Sequence, residues 1–98
     1  MDKTIDLSQY APIISDKVIG LEIYKKIKEL NPALNKVEVD FSGIKAMTTF
    51  CAKQIFGQLY VELTPSVFYN NVILKHVAED VKFSINYGVK SAVDDSKK

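Results

Sequence analysis

The side chains best suited to chemistry in this sequence lie close together near the middle of the chain. Thr48 and Thr49 stand immediately before a long amphipathic segment. Hydroxyl groups at such a position accept hydrogen bonds from the free amides of a first helical turn. They could also accept a phosphate, which would lie beside free amides and the positive end of the helix dipole. Helix capping is the simpler interpretation, and phosphorylation is the alternative if a partner kinase exists.

The remaining reactive side chains do not predict an enzyme. Cys51 falls in the first turn of the same segment, where the helix dipole can stabilise a thiolate. No nucleophile signature surrounds it, and a lone helical cysteine is usually a small core residue. His76 has a simple i,i+4 partner in Asp80. One cysteine and one histidine give no metal-ligand spacing, and Gly43 alone is not a phosphate loop. We therefore expect no catalytic residues, no metal and no cofactor.

The composition indicates one small globular domain. The chain has 98 residues, of which 47% are hydrophobic and 26% are charged, and its formal net charge is +1. A charge so close to zero disfavours nucleic acid and anionic membranes as partners. No apolar run is long enough to span a bilayer, and residues 1–4 lack the apolar core of a signal peptide. We expect a cytoplasmic protein.

A strand and a helix should hold the candidate residues in place. The alternating apolar residues of Val37–Phe41 predict a short strand. Asp40 should lie at its end and turn the chain together with Ser42 and Gly43, because a buried parallel strand is usually apolar on both faces. A helix should follow over residues 49–63. This is half of a βαβ unit, in which the loop beside the helix start is where ligands and modifications tend to act.

Shorter elements should surround this unit. Ser15 should cap a first helix that ends before Pro32, and Gly88 should follow the last helix in the position that glycine favours. The predicted elements are a weak strand at 4–7, a helix over 15–30, a strand at 67–69 and a helix over 72–87. Residues 1–90 then form the domain, and residues 91–98 a flexible tail.

The predicted helix over residues 49–63 has two apolar faces. The core face should consist of Ala52, Ile55, Phe56, Leu59 and Leu63. The opposite face carries Phe50, Gln54, Gly57 and Val61. Gly57 costs about 1 kcal/mol of helix propensity relative to alanine, and its missing side chain lets another backbone approach. We interpret the second face as a partner contact, and the alternative is that a neighbouring helix or the N-terminal segment covers it.

The central part of the sequence resembles STAS-type domains, named for sulphate transporters and anti-sigma-factor antagonists. It is more closely similar to the bacterial STAS-like family of unknown function. In that family a strand ending in Asp-Phe-x-Gly precedes a hydroxyl-rich loop and a helix that contains Phe-Gly. The matching residues here are Asp40-Phe41-Ser42-Gly43, Thr48-Thr49 and Phe56-Gly57. The resemblance covers roughly residues 13–92.

The resemblance implies an α/β domain with a mixed sheet of three to five short strands and three main helices packed against it. It also implies a regulatory module that binds another protein, such as a kinase-like ATPase or an anti-sigma-type regulator, or a second copy of itself. In anti-sigma antagonists a partner kinase phosphorylates the start of this helix. Thr49 matches that acceptor and Thr48 matches the aspartate before it, whereas Phe50 and Cys51 replace the expected small residues. A small-ligand or nucleotide sensor that uses the same loop and helix start is the alternative.

Overall fold

Parallel strands form the base of the structure, a computed structural model that describes residues 3–97. Met1, Asp2 and Lys98, which the sequence assigned to the domain and the tail, lie outside the described residues. Strands β1, β3 and β5 form a three-stranded sheet with β3 at its centre, and β2 and β4 form a second sheet of two strands. The strands are β1 (Lys3–Asp6), β2 (Ile13–Ile14), β3 (Val37–Asp40), β4 (Ala46–Met47) and β5 (Val72–Lys75).

Helices connect these strands and supply most of the core. Helix α2 is one continuous helix over residues 49–63 that contains a π-helical stretch, Lys53–Gly57, between α-helical Thr49–Ala52 and Gln58–Leu63. All five residues of its predicted core face are buried. The other α-helices over the described part of the chain are α1 (Lys17–Glu29), α3 (Pro65–Asn71) and α4 (Glu79–Ser96), and a short 3-10 helix spans Ser8–Tyr10.

The predicted α/β class is confirmed. The expected sheet was mixed, whereas the observed strands run parallel to their neighbours. Each pairing within residues 3–97 is parallel, because α1 joins β1 to β3, and α2 and α3 join β3 to β5, as crossovers. In β3, Val37 and Val39 are buried while Glu38 and Asp40 stay half-buried. The alternation predicted for this strand is therefore confirmed, with its polar side chains on the face away from the core.

The prediction was wrong for the connection between α2 and α4. The expected strand at 67–69 lies inside α3, which Pro65 begins in the first-turn position that proline favours. The residues expected to start a long helix instead form β5, which pairs with β3. At the end of α3, Asn71 donates its side-chain amide to the Pro32 carbonyl at 2.7 Å. Thr64, with φ 78°, separates α2 from α3.

Two helices also begin or end at residues other than those predicted. Asp16, not Ser15, caps α1, since its Oδ1 accepts hydrogen bonds from the amides of Val18 at 2.6 Å and Ile19 at 3.4 Å. Gly88 does not end the last helix, because α4 continues to Ser96. Residues 91–96, which the sequence assigned to the tail, are thus helical.

On one side, α2 packs closely against the first turns of α1. Gly20 of α1 is buried where the Gln54 side chain of α2 crosses it. Gln54 Nε2 donates to the Lys17 carbonyl at 3.0 Å, and the Cys51 thiol lies 3.5 Å from the Asp16 carbonyl. A side chain at position 20 would occupy the place of the Gln54 amide oxygen. Gly20 therefore leaves the space that the end of the flexible Gln54 side chain fills.

On its other side, α2 packs against α4 through a pair of glycines. A Cβ at Gly57 would lie 2.7 Å from the Gly88 carbonyl oxygen and 2.8 Å from the Ala92 side chain. A Cβ at Gly88 would lie 2.7 Å from the Ala52 carbonyl carbon. These distances are too short for non-bonded carbon and oxygen atoms, so the two backbones can approach this closely only because both residues are glycine.

We predict that the two glycine contacts respond differently to alanine. Gly88→Ala should lower the free energy of unfolding by about 2 kcal/mol, because the new methyl group meets backbone atoms and overpacking outweighs the gain in helix propensity. Gly20→Ala should change it by less than about 0.5 kcal/mol, because the flexible Gln54 side chain can move and the propensity gain offsets its lost hydrogen bond. Urea unfolding measures both. Equal losses would contradict the backbone contact between α2 and α4.

Candidate functional site

Strand β4 and the start of α2 fix the position of the two threonines. The Thr48 amide donates to the Ile14 carbonyl of β2 at 3.0 Å. Thr48 is the N-cap of α2, and its Oγ1 accepts a hydrogen bond from the Cys51 amide at 3.2 Å. Thr49 is the first helical residue and is exposed. Within residues 3–97 the Thr49 hydroxyl has no hydrogen-bond partner. The two neighbouring hydroxyls thus have different surroundings, one a cap and the other free.

The residues after the threonines divide between solvent and core. Phe50 leaves 55% of its surface exposed, whereas Cys51 is fully buried. Ile13, on the strand that pairs with β4, is also exposed, at 56%. The start of α2 therefore presents an aromatic side chain and a free hydroxyl in adjacent positions. The cysteine lies behind them in the core, in the packing role expected for a lone helical cysteine.

The second face of α2 does not form one continuous surface. Gln54 is covered by α1 and Gly57 by α4, which is the alternative that the sequence left open for this face. Val61 remains exposed, at 42%. It borders a shallow groove between α2 and the end of α4. Phe50 and Val61 are therefore the two members of this face available to a partner.

The loop that follows β3 contains a cluster of hydrogen-bonded polar side chains. Gly43 has φ 84°, which allows the tight turn after the strand. Asp40 Oδ1 accepts hydrogen bonds from the Ser42 amide at 2.9 Å and the Ser42 hydroxyl at 2.7 Å, and lies 3.0 Å from Nδ1 of His76. The hydrogen bonds from Ser42, and then that from His76, lower the pKa of Asp40 to about 2. Asp40 therefore ends the strand as predicted and organises the loop around its carboxylate.

His76 is the member of this cluster that the sequence did not reveal. We paired it with Asp80 in a predicted helix, but it follows β5 in a left-handed conformation, φ 57°, and contacts Asp40. The register of the sheet pairs Asp40 with Lys75, so the residue after Lys75 meets the loop after β3. The signal that could have found it is the general rule that parallel strands end at the same edge of a sheet.

The Asp40, Ser42 and His76 side chains do not have the arrangement of a nucleophilic triad. A triad places the carboxylate on Nδ1 of the histidine and the hydroxyl on Nε2. Here the Ser42 hydroxyl lies 3.2 Å from the same Nδ1 atom that meets Asp40. The cluster joins the loop after β3 to the chain after β5. No three His, Cys, Asp or Glu side chains in the described part of the chain lie close enough together to hold a metal ion.

We predict that only one of the two threonines supports folding. Thr48→Ala should lower the free energy of unfolding by about 1 kcal/mol, the usual cost of a lost N-cap. Thr49→Ala should change it by less than about 0.5 kcal/mol, as at most exposed sites. Chemical denaturation of the two variants makes the comparison, and Thr48→Asp, which keeps a capping oxygen, is the control. If Thr49→Ala lost more stability than Thr48→Ala, Thr49 and not Thr48 would be the residue that supports folding.

Comparison with known proteins adds one finding. A family model described as a STAS-like domain of unknown function (DUF4325) matches residues 20–82, more than half of the chain. No curated protein and no solved structure gives a significant match. Over the residues described, no helix combines the length and apolar character needed to cross a bilayer. The matched segment includes β3, the loop with Asp40, the capped start of α2 and β5. The chain therefore belongs to the family of STAS-like domains of unknown function.

Proposed function

We propose that this chain is a non-catalytic regulatory module that binds another protein through the start of α2. The observation that carries the proposal is the pair formed by Thr49 and Phe50. Phe50 exposes 55% of its surface directly after a threonine whose hydroxyl has no hydrogen-bond partner within residues 3–97. Exposed aromatic residues are a frequent source of binding energy at protein interfaces. In anti-sigma-factor antagonists, which the sequence resembles, a partner kinase phosphorylates the start of this helix and so breaks the complex.

The surroundings of this pair favour a preformed binding surface. Thr48 fixes the first turn of α2 through its cap and through the bond from its amide to Ile14. A partner that covers Phe50 would therefore meet a side chain on an ordered helix. Less conformational entropy is lost on binding when the surface is already ordered. Ile13, exposed on the adjacent strand, would extend the apolar contact.

The free hydroxyl of Thr49 supplies a means of regulation. A phosphate on Thr49 would add roughly 1.5 to 2 negative charges at the positive end of the helix dipole. The fold should tolerate this group, because Thr49 is exposed and Thr48 keeps the cap. A partner resting on Phe50 would have to desolvate the phosphate and should dissociate. The proposed modifying enzyme is a kinase-like ATPase in the bacterial cytoplasm.

A protein partner agrees better with the surface than a small ligand does. Four shallow depressions lie along α4, in the grooves between α2 and α4, and on the outer face of α1. None of these four is lined by residues 48–50. A ligand sensor that used the start of α2 would need a concave site there. An exposed aromatic residue such as Phe50 is instead typical of contact with another protein.

We predict that substitutions at Thr49 and Phe50 separate binding from stability. With a partner purified by its association with the wild-type chain, Phe50→Ser should weaken binding at least about tenfold, since hot-spot truncations typically cost 2 kcal/mol or more. Thr49→Asp should weaken binding as well, because it places a negative charge beside Phe50 that the partner would have to desolvate. Thr49→Ala should bind as the wild type does. Calorimetric titration measures the affinities, and denaturation should show unchanged stability within about 0.5 kcal/mol.

Leu34→Ser is the matched control, because Leu34 is 80% exposed on the loop between α1 and β3. It should leave the affinity unchanged. If Thr49→Asp binds as tightly as the wild type, the regulatory role of Thr49 is wrong. If Phe50→Ser also binds normally, the start of α2 is not the interface.

A further inference from the structure

A row of exposed side chains runs along one face of α4. Phe83 and Tyr87 leave 69% and 56% of their surface exposed, whereas Val81 and Ile85 of the same helix are buried in the core. Asp80 lies one turn before Phe83 and Lys90 one turn after Tyr87, and both are exposed. Neither charged residue has an ion-pair partner within residues 3–97. We call these four residues, Asp80, Phe83, Tyr87 and Lys90, the α4 seam.

The spacing of the α4 seam is that of a helix that packs against another helix. Its members are separated by three, four and three residues, which is the alternation of a and d positions in a heptad. Such residues lie on one face of a helix and can interdigitate with those of a second helix. A shallow depression lined by Tyr87, Lys90, Ser91 and Asp94 follows the same face. The seam therefore has both the pattern and the accessibility of a helix–helix interface.

We propose that the α4 seam is the contact surface of a homodimer, in which two copies of α4 pack antiparallel about a two-fold axis between Phe83 and Tyr87. This arrangement places Phe83 opposite Tyr87 of the partner subunit. It also places Asp80 opposite Lys90 of the partner subunit. Because the axis generates each pair twice, four layers form, with two aromatic layers in the centre and one ion pair at each end.

Charge complementarity is the reason to choose a second copy as the occupant. A two-fold interface requires a surface that is complementary to itself, and the seam meets this condition only when the helices are antiparallel. A parallel arrangement would place Asp80 against Asp80 of the partner subunit and Lys90 against Lys90 of the partner subunit, and both contacts would be repulsive. The central layers would bury Phe83 and Tyr87, whose rings can pack edge to face. The charged ends then fix the register.

The proposed dimer should be weak and reversible. One helix from each copy buries less area than the roughly 1,200–2,000 Å² of a standard stable interface. The interface does not require the start of α2, so this inference stands independently of the proposed regulatory function.

A charge exchange tests the dimer and its register together. Sedimentation velocity from about 5 to about 500 µM, a range that covers weak interfaces, should show the wild-type chain passing from monomer to dimer. Lys90→Asp should weaken the association at least about tenfold, since it places like charges together at both ends of the interface. Asp80→Lys should do the same. The double variant D80K/K90D reverses both charges and should restore the association to within about threefold of the wild type.

Two features of the design exclude simpler explanations. Lys25→Asp makes the same change in net charge on the exposed side of α1, and it should leave the dimer unchanged. Asp80 lies in the first turn of α4, where an acidic residue is favourable. Because the double variant keeps the unfavourable lysine there, restored association cannot result from a more stable helix. A wild-type chain that stays monomeric over the whole range would overturn the proposal. So would a double variant that does not recover, or single variants that associate more tightly.

Discussion

The close packing of α2 between two other helices is the constraint on which the rest of the structure depends. Gly57 and Gly88 bring the backbones of α2 and α4 to a distance that no Cβ allows, and Gly20 admits the Gln54 side chain on the α1 side. Both Gln54 and Gly57 belong to the π-helical stretch Lys53–Gly57. Single π turns within α-helices occur often at functional sites. Here both neighbouring helices contact the π turn.

This packing explains how a small domain can present a defined surface. The middle of α2 is held on both sides, and Thr48 fixes its first turn through a cap and a bond to β2. The exposed residues Thr49 and Phe50 therefore extend from a fixed part of the fold. The carboxyl ends of β3 and β5 are joined in a similar way, since the Asp40 carboxylate accepts hydrogen bonds from Ser42 and meets His76.

The sequence predicted the elements whose signals are local. The alternation in β3, the hydroxyl cap and the helical period of residues 49–63 each depend on a few neighbouring residues, and all three were correct. The prediction for the segment from Thr64 to His76 was wrong because distant contacts decide its secondary structure. These contacts include pairing with a strand more than thirty residues away. For the same reason the contact of His76 with Asp40 was missed. Gly57 was recognised as a place of close approach, but only the structure identifies Gly88 as its neighbour.

Native-state hydrogen exchange, followed by NMR, tests the central role of this packing most directly. If α2 is held on both sides, the amides of residues 55–61 should exchange only through global unfolding, as those of β3 do. Their exchange free energies should then equal the free energy of unfolding obtained with denaturant. Exchange of these amides through local opening, at least about 2 kcal/mol below that value while β3 remains protected, would contradict the account.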